Sequence, residues 1–428
     1  MADLGWQYLT AADKRLILRG IRDGRAYGGP FHAEIHPADR CNLDCFFCST
    51  ATLRGTDEIS PPSFSRLLTE LKDGGTRSLR LSGGGEPLFH RNINAVFSQI
   101  IESGLPIENL TTNAVLLRDR VLDAVMECCD LVTVSLNTAD PSGYASMMRS
   151  TERNFDRVVA NVRELKRRSR SRRTAPRVNL QFLVWKGNYE TIPKMYELAR
   201  ELEVDTIQFN GLAFLRPEER MTPEETERML GLYEDLVRRD EWRRITGISS
   251  FEQDLTPWFE SMSGRLARER AEGGLGARVR RYLTRSDFPL RERVRHSVRM
   301  RAMRRRDRQL ADTSLYCLVA WHSLVIRTTG TVAPCCILQG TSMDEWTKSS
   351  IHDVWHGPQY QRLRQELSRI MREGESWEAR PAGEELVSEG CLPAACPMST
   401  FYFQSDVRFA RAFSHLVEES RNTASPHS

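Results

Sequence analysis

The sequence predicts an α/β fold: an open, partial (βα)6 TIM-like barrel over residues 31–215, a helical Arg-rich insert at 216–312, and a small cysteine-bearing domain at 313–400. Three observations predict it. Short β-branched and aromatic runs alternate six times with amphipathic helical patterns, the way parallel strands with crossover helices read. Six units are too few to close an eight-stranded barrel. Apolar, β-rich character then returns only in "LYCLVAWHSLVIRTTGTVAPCCIL" (315–338), after a long run of charged helix formers.

The elements follow in order. Residues 1–30 read as a helical N-terminal extension. "FHAEIH" (31–36) is the first strand and runs into a cysteine-rich loop. "SFSRLLTELKD" is a helix leading to the strand "SLRLS" (78–82). A helix near 92–103 stops at Gly104 and gives way to "IENLTT" (107–112). A helix near 118–128 precedes "LVTVSLN" (131–137), and a longer one near 153–168 precedes "RVNLQFLVW" (177–185). "LKRRSRSRR" (165–173) reads as an exposed loop. "NYETIPKMYELARELE" closes the series before "DTIQFN" (205–210), whose Gln208 and Asn210 are expected to face the lumen. Within 264–312 there are 16 Arg against 6 Asp or Glu. Residues 401–428 form a C-terminal helix and a tail, "RNTASPHS", that reads as disordered.

Composition narrows the class. Of 428 residues, 40% are apolar and 28% charged, and the net charge is +4, which is soluble, globular and too mild for bulk charge to argue for nucleic acid. The N-terminus has no apolar core of signal-peptide length, and nothing approaches the roughly 20 apolar residues of a membrane span. The expectation is a cytoplasmic protein whose ten cysteines are reduced thiols or metal ligands.

"RCNLDCFFCST" (40–50) holds Cys41, Cys45 and Cys48 in a Cys-x3-Cys-x2-Cys spacing. Three thiolates can hold three irons of a four-iron, four-sulfur cluster and leave the fourth iron open. The competing reading is a zinc knuckle that recruits a distant fourth ligand, although knuckles favour Cys-x2-Cys pairs.

This spacing, with Phe47 before the last cysteine and the motif placed after the first strand, resembles the radical S-adenosylmethionine (radical SAM) superfamily. The resemblance implies that SAM chelates the open iron and is cleaved to a 5′-deoxyadenosyl radical that abstracts hydrogen from a C–H bond. "SGGGEP" (82–87) resembles the family's Gly-Gly-Glu motif, implying that Gly84 and Gly85 let the backbone approach SAM while Glu86 meets its ammonium. Asn113 after the third strand, and Ser135 and Asn137 after the fourth, fall where the family contacts the SAM ribose or carboxylate. "FLVWKGNYE" falls at the family's adenine contacts.

Downstream, Cys317, Gly330 and Cys335 meet the opening pattern Cys-x(9–15)-Gly-x4-Cys of the SPASM or twitch auxiliary-cluster domain, and a Trp-containing helix (350–367) and Cys391 and Cys396 follow. The resemblance implies one auxiliary [4Fe–4S] cluster on Cys317, Cys335, Cys391 and Cys396, hence two [4Fe–4S] clusters in all. The competing reading here is a structural zinc ribbon. Cys128 and Cys129 read as inert buried thiols, and Cys336 is left over beside a cluster ligand, a candidate catalytic hydrogen donor. The expected activity is therefore radical modification of a secondary-metabolite substrate (a sugar, aminocyclitol or oligosaccharide antibiotic), by epimerisation with a thiol donor. Dehydrogenation with the auxiliary cluster as electron acceptor, and modification of a ribosomal peptide, stand as alternatives. So does a non-enzymatic iron–sulfur or zinc protein binding nucleic acid through its arginines. Expected partners are a small, anionic or glycosidic substrate and a reductase such as flavodoxin or ferredoxin, with no membrane.

Overall fold

The computed structural model describes residues 5–48, 50–51, 54–172, 175–211, 221–239, 245–249, 317–335 and 342–373. The arginine-rich stretch 264–312, Cys336, Cys391, Cys396 and the C-terminal tail lie outside them. No helix among the described residues is long and apolar enough to cross a membrane.

After a short 3-10 helix (Trp6–Tyr8), α1 (Ala11–Asp23) opens with a capping box between Thr10 and Asp13. Six βα units follow: β1 (His32–Ile35), α2 (Pro61–Asp73), β2 (Ser78–Leu81), α3 (Ile93–Ser103), β3 (Ile107–Thr112), α4 (Asp119–Cys128), β4 (Leu131–Ser135), then α5 (Pro141–Met147) and α6 (Glu152–Ser169), β5 (Arg177–Val184), α7 (Ile192–Glu201), β6 (Thr206–Gly211) and α8 (Pro223–Arg239). Each predicted strand is present. A seventh, β7 (Ile245–Ser249), lies in the stretch expected to be helical and pairs in parallel with β6. The basic run after Leu165 is not a loop at its start: α6 continues to Ser169, and Lys166, Arg167 and Arg168 occupy its last turn, where cations oppose the helix dipole. Arg168 reaches Asp123 at 2.6 Å and Lys166 reaches Asp205 at 2.7 Å.

The C-terminal region joins the same sheet. α9 (Val319–His322) leads into β8 (Ser323–Ile326), which pairs in parallel with β1, and β9 (Thr331–Ala333) and β10 (Asp344–Glu345) extend that edge antiparallel. Gly330, at φ +88, makes the β8–β9 turn against Thr347. α10 (Ile351–His356) and α11 (Pro358–Glu373) close the described chain. The sheet has ten strands in the order β10-β9-β8-β1-β2-β3-β4-β5-β6-β7.

Strand alternation divides this sheet sharply. One face carries Ala33, Ile35, Leu79, Leu81, Val132, Val134, Leu180, Phe182, Ile207 and Phe209, all buried in the core beneath the helices. The opposite, inner face carries Glu34, Arg80, Asn109, Thr133, Asn179, Gln181, Gln208 and Asn210. These polar groups pair with one another: Thr133 donates to Asn109 at 3.0 Å, Thr206 to Asn179 at 2.9 Å, and Gln208 to Asn210 at 3.1 Å. Near β1, Glu34 accepts from the Ser82 hydroxyl, meets His36 at 3.2 Å, and stands 4.0 Å from Arg80, which also lies 3.8 Å from Glu108. Burial alone would raise the Glu34 pKa, but His36, Arg80 and Ser82 outweigh it and bring it to about 2.

The N-terminal end of the barrel is closed. Gly5 sits against Ser78 and His32, Trp6 packs on His322 at 5.3 Å, and His322 stacks on His32 at 5.9 Å. His322, to which the sequence assigns no role, is thus part of this floor.

Candidate active site

The C-terminal ends of parallel strands are where α/β folds gather ligand-binding loops, and the first three cysteines lie there. The loop after β1 is held from two sides. On one side Gly85 N donates to Ala38 O at 3.1 Å and Glu86 N to Arg40 O at 2.8 Å, so the loop after β2 docks on the backbone just before Cys41. A Cβ on Gly85 would fall 2.0 Å from Arg40 O; the close approach this glycine permits is to the cysteine loop itself. Thr50 bridges the same pair of loops, 3.3 Å from Cys48 Sγ and donating to Gly84 O at 3.0 Å.

On the other side is α5, a seven-residue helix that the sequence reading missed. It has no usable apolar period, but Asp140 caps it through Gly143 N at 2.7 Å and Pro141 stands in its first turn, both legible start signals. Asp44 N donates to Met148 O, Phe46 N to Met147 O, and the Cys45 thiol to Met148 Sδ at 3.5 Å. Asp44 is bound by Arg54 at 2.9 Å and Arg149 at 3.1 Å.

Glu86 is 3% exposed. Its carboxylate accepts from Thr112 Oγ1 at 2.6 Å, Asn113 N at 2.7 Å and Leu88 N at 3.1 Å, tying the β2 loop to the end of β3. Burial raises its pKa, and these hydrogen bonds pull against that. A carboxylate has about four acceptor positions, so one remains for a further donor. Asn113 donates from Nδ2 to Asn42 Oδ1 at 2.8 Å, locking the cysteine loop to β3. Asn137 adopts φ +65 after β4, its Nδ2 donating to Ser135 O at 3.5 Å.

Among the described residues no three His, Cys, Asp or Glu side chains converge within reach of a single metal ion. Two features fit an iron–sulfur cluster with a polar ligand. The thiols share one field: burial pushes Cys41 up and Cys45 to about 12, and the neighbouring thiols add to the Cys45 rise, while the Arg54 guanidinium lowers it. Metal binding reverses that balance by deprotonating the thiols outright. Finally, among the described residues Asn137 Oδ1 and the Tyr144 hydroxyl are buried with no hydrogen-bond partner, and Tyr144 stands close enough to Cys45, Glu86 and Cys41 for their charges to add to burial in raising its pKa. Buried polar atoms without partners are uncommon and mark a place for a ligand. Tyr144, like Met148, Arg54 and Asn42, was not singled out from the sequence. Phe46, 36% exposed, leans on Trp185 at 5.2 Å over the rim, and Gly187 lies directly against the Trp185 ring.

Cys317 and Cys335 are half-buried at the other end of the strands. Cys317 precedes β8, whose N-terminus is level with that of β1, and Cys335 follows β9, which runs back antiparallel from the Gly330 turn. Tyr360 donates to Ala333 O at 3.3 Å and faces Cys335. Arg364 donates to Ala320 O at 2.8 Å and Trp355 O at 2.7 Å. Cys129 is buried and Cys128 donates to Ala124 O at 3.2 Å, both far in sequence from either group.

Comparison with known proteins finds two family matches along the chain. The profile of the radical SAM superfamily matches residues 35–199, and that of the SPASM iron–sulfur cluster-binding domain matches residues 317–377. A GTP 3′,8-cyclase of Chlorobaculum tepidum is 31% identical over 208 residues, 46% of this chain and 57% of that protein. A probable GTP 3′,8-cyclase of Methanothermobacter marburgensis is 32% identical over 129 residues, 30% of this chain, which thus spans only 41% of that relative's length. Streptococcus suis SuiB, solved with S-adenosylmethionine, superposes with a TM-score of 0.54 at 16% identity, covering 82% of this chain and 71% of its own. That likeness is one of fold.

Proposed function

Given that the chain is a radical SAM enzyme with a SPASM-type auxiliary-cluster domain, using SAM and [4Fe–4S] clusters, we propose that it epimerises a carbon of a polar, hydroxyl- or amine-rich small molecule such as a sugar, aminocyclitol or oligosaccharide antibiotic. The observation that carries this reading is the inner face of the sheet, where Asn109, Thr133, Asn179, Gln181, Gln208 and Asn210 form a continuous amide and hydroxyl wall. The bonds among them use only part of what a side-chain amide offers, two donors on its nitrogen and two acceptor positions on its oxygen, so a polar substrate suits this wall better than an apolar one. The charged part of the wall sets one cation, Arg80, between two carboxylates, Glu34 and Glu108, which leaves it net negative. That favours a neutral or modestly charged substrate over a triphosphate.

In this reading Cys41, Cys45 and Cys48 hold the SAM cluster, and Cys317, Cys335, Cys391 and Cys396 the auxiliary one. Gly84, Glu86, Asn113, Ser135 and Asn137 hold SAM, with Gly85 fixing the loop that presents them. When bound, the reduced cluster and SAM supply a carbon radical that takes hydrogen from the substrate. Cys336 then gives a hydrogen atom to the substrate carbon from the face away from SAM. The thiyl radical left behind needs one electron and one proton, the electron arriving through the auxiliary cluster from a flavodoxin- or ferredoxin-type donor. The opposite placement of the two cysteine groups along β1 and β8 supports delivery from the far face.

A second reading is dehydrogenation, in which the substrate radical loses a proton to a base and an electron to the auxiliary cluster. One experiment separates them. Reduced enzyme turning over aminocyclitol or oligosaccharide candidates in deuterated water should place one deuterium at an inverted carbon. Cys336→Ala should still form 5′-deoxyadenosine while losing the inverted product. A product lighter by two hydrogens, with no deuterium, establishes dehydrogenation. SAM cleavage only with added peptide would overturn the small-molecule assignment.

A further inference from the structure

Arg54 follows Cys48 by six residues, and its side chain reaches back into the loop that carries the first three cysteines. Its Nη1 donates to Leu43 O at 3.0 Å and to Asp44 Oδ1 at 2.9 Å, both between Cys41 and Cys45. Its backbone N donates to Ala51 O at 3.3 Å, and Ala51 N in turn donates to Cys48 O at 3.2 Å. The side chain is 20% exposed, and among the described residues its Nε is buried with no hydrogen-bond partner. A buried N–H without a partner is uncommon in a folded chain. Burial works to lower the Arg54 pKa, but Cys48, then Cys41 and Cys45, outweigh it and raise it, so the guanidinium stays charged.

The protein cancels that charge only in part. Asp44 also binds Arg149 at 3.1 Å, so two guanidinium groups share one carboxylate, and that carboxylate is 65% exposed. An ion pair so open to water is well screened. Glu86 acts on Cys41 in the opposite sense to Arg54, but its carboxylate already accepts from Thr112, Asn113 N and Leu88 N. Three thiolates around a [4Fe–4S] core make a net negative assembly, and the electron that starts SAM cleavage adds one more negative charge. Nearby charge and hydrogen bonds to sulfur set the potential of such a cluster. We propose that Arg54 is a fixed counter-charge for the SAM-binding cluster and favours its reduced form. This rests on the reading that Cys41, Cys45 and Cys48 hold that cluster. The alternative is a clasp that only fixes the shape of the loop through Leu43 and Asp44.

The test is a redox titration of anaerobically reconstituted protein at low ionic strength, with titanium(III) citrate supplying the electrons. Paramagnetic resonance follows the signal that added SAM perturbs, which marks the open-iron cluster. Arg54→Gln should keep the iron content of wild type and shift the reduction equilibrium of that cluster at least about tenfold toward the oxidised form, about 59 mV for one electron. Arg54→Lys, which keeps the charge and loses the planar fork, should stay within about threefold of wild type. Asp44→Asn weakens the same ion pair from its other side and should shift the equilibrium at least about twofold the opposite way, toward the reduced form. A charge effect requires those opposite signs; a clasp loosened from either side gives one sign for both. An unchanged potential in an iron-loaded Arg54→Gln protein overturns the proposal, as does a lysine variant that shifts as far as the glutamine one. If Arg54→Gln fails to load, Asp44→Asn decides: a shift toward the reduced form upholds the counter-charge, and no shift or the reverse overturns it. Wild type that reconstitutes no iron overturns the cluster reading itself.

Discussion

Replacing Gly85 by alanine tests how the cysteine loop is held. The added Cβ would lie 2.0 Å from Arg40 O, 2.5 Å from Arg40 C and 2.6 Å from Asp39 C, where ordinary contact begins near 3.4 Å. All three are backbone atoms, so no side chain can swing aside. The two loops must part by about 1.4 Å. That stretches the bonds from Gly85 N to Ala38 O and from Glu86 N to Arg40 O, now 3.1 and 2.8 Å, beyond hydrogen-bonding range. Two lost backbone bonds are worth roughly 0.5–1.5 kcal/mol each, and overpacking costs roughly 1–3 kcal/mol. A destabilisation of about 3 kcal/mol follows, or about 6–12 °C in Tm for a barrel of this size. Because Cys41 is the next residue after the strained one, iron content should fall as well. The assay is calorimetry of the apoprotein beside iron analysis after anaerobic reconstitution. Gly231→Ala is the control: it lies in the interior of α8 with nothing among the described residues within 4 Å of an added Cβ, and should stabilise by up to about 1 kcal/mol. A Gly85→Ala protein with full iron and a Tm within 2 °C of wild type would refute the docking argument.

Other expectations follow from the same geometry. Wild type should reconstitute about eight irons, and changing Cys41, Cys45 and Cys48 together to alanine should leave about four and abolish SAM cleavage; bound zinc without iron would contradict this. Glu34 has a folded pKa of about 2 against a usual 4.5, so its stabilisation is fully present above pH 4.5 and is lost as pH falls toward 2. Glu34→Gln apoprotein should therefore melt below wild type at pH 7, with the gap narrowing as pH falls below 4.5. A gap that is constant across that range would mean the carboxylate's charge does not matter there.

Much of the barrel was legible because each strand pairs with its sequence neighbour and each helix has an apolar stripe. The exceptions are instructive. The strand 245–249, "ITGIS", carries a glycine and sits among charged helix formers, and only its pairing with β6 makes it a strand. The partnership of β8 with β1 joins residues almost 300 positions apart, which no local pattern encodes. At the site, the cysteine spacing pointed to the loop directly. What Glu86 does there depends on Thr112 and the Asn113 amide arriving from another strand, so spacing could suggest the carboxylate but not its occupants. Arg364 was invisible for a different reason. In "QYQRLRQEL" an arginine beside other polar residues reads as the wet side of a helix, and only the packing of Trp355 and Tyr360 around it puts it inside.

The parallel pairing of β1 with β8 has one more consequence. The cysteines after β1 and those flanking the β8–β9 hairpin hang from two strands bonded side by side, His32 opposite Ser323 and Ile35 opposite Ile326. Their separation is therefore a property of a stiff lattice and not of a hinge between lobes. An electron crossing from one group to the other would tunnel over the same gap whether the lumen is empty or full. Substrate can then change when that electron moves by altering the energies at either end, while the length of the wire stays constant.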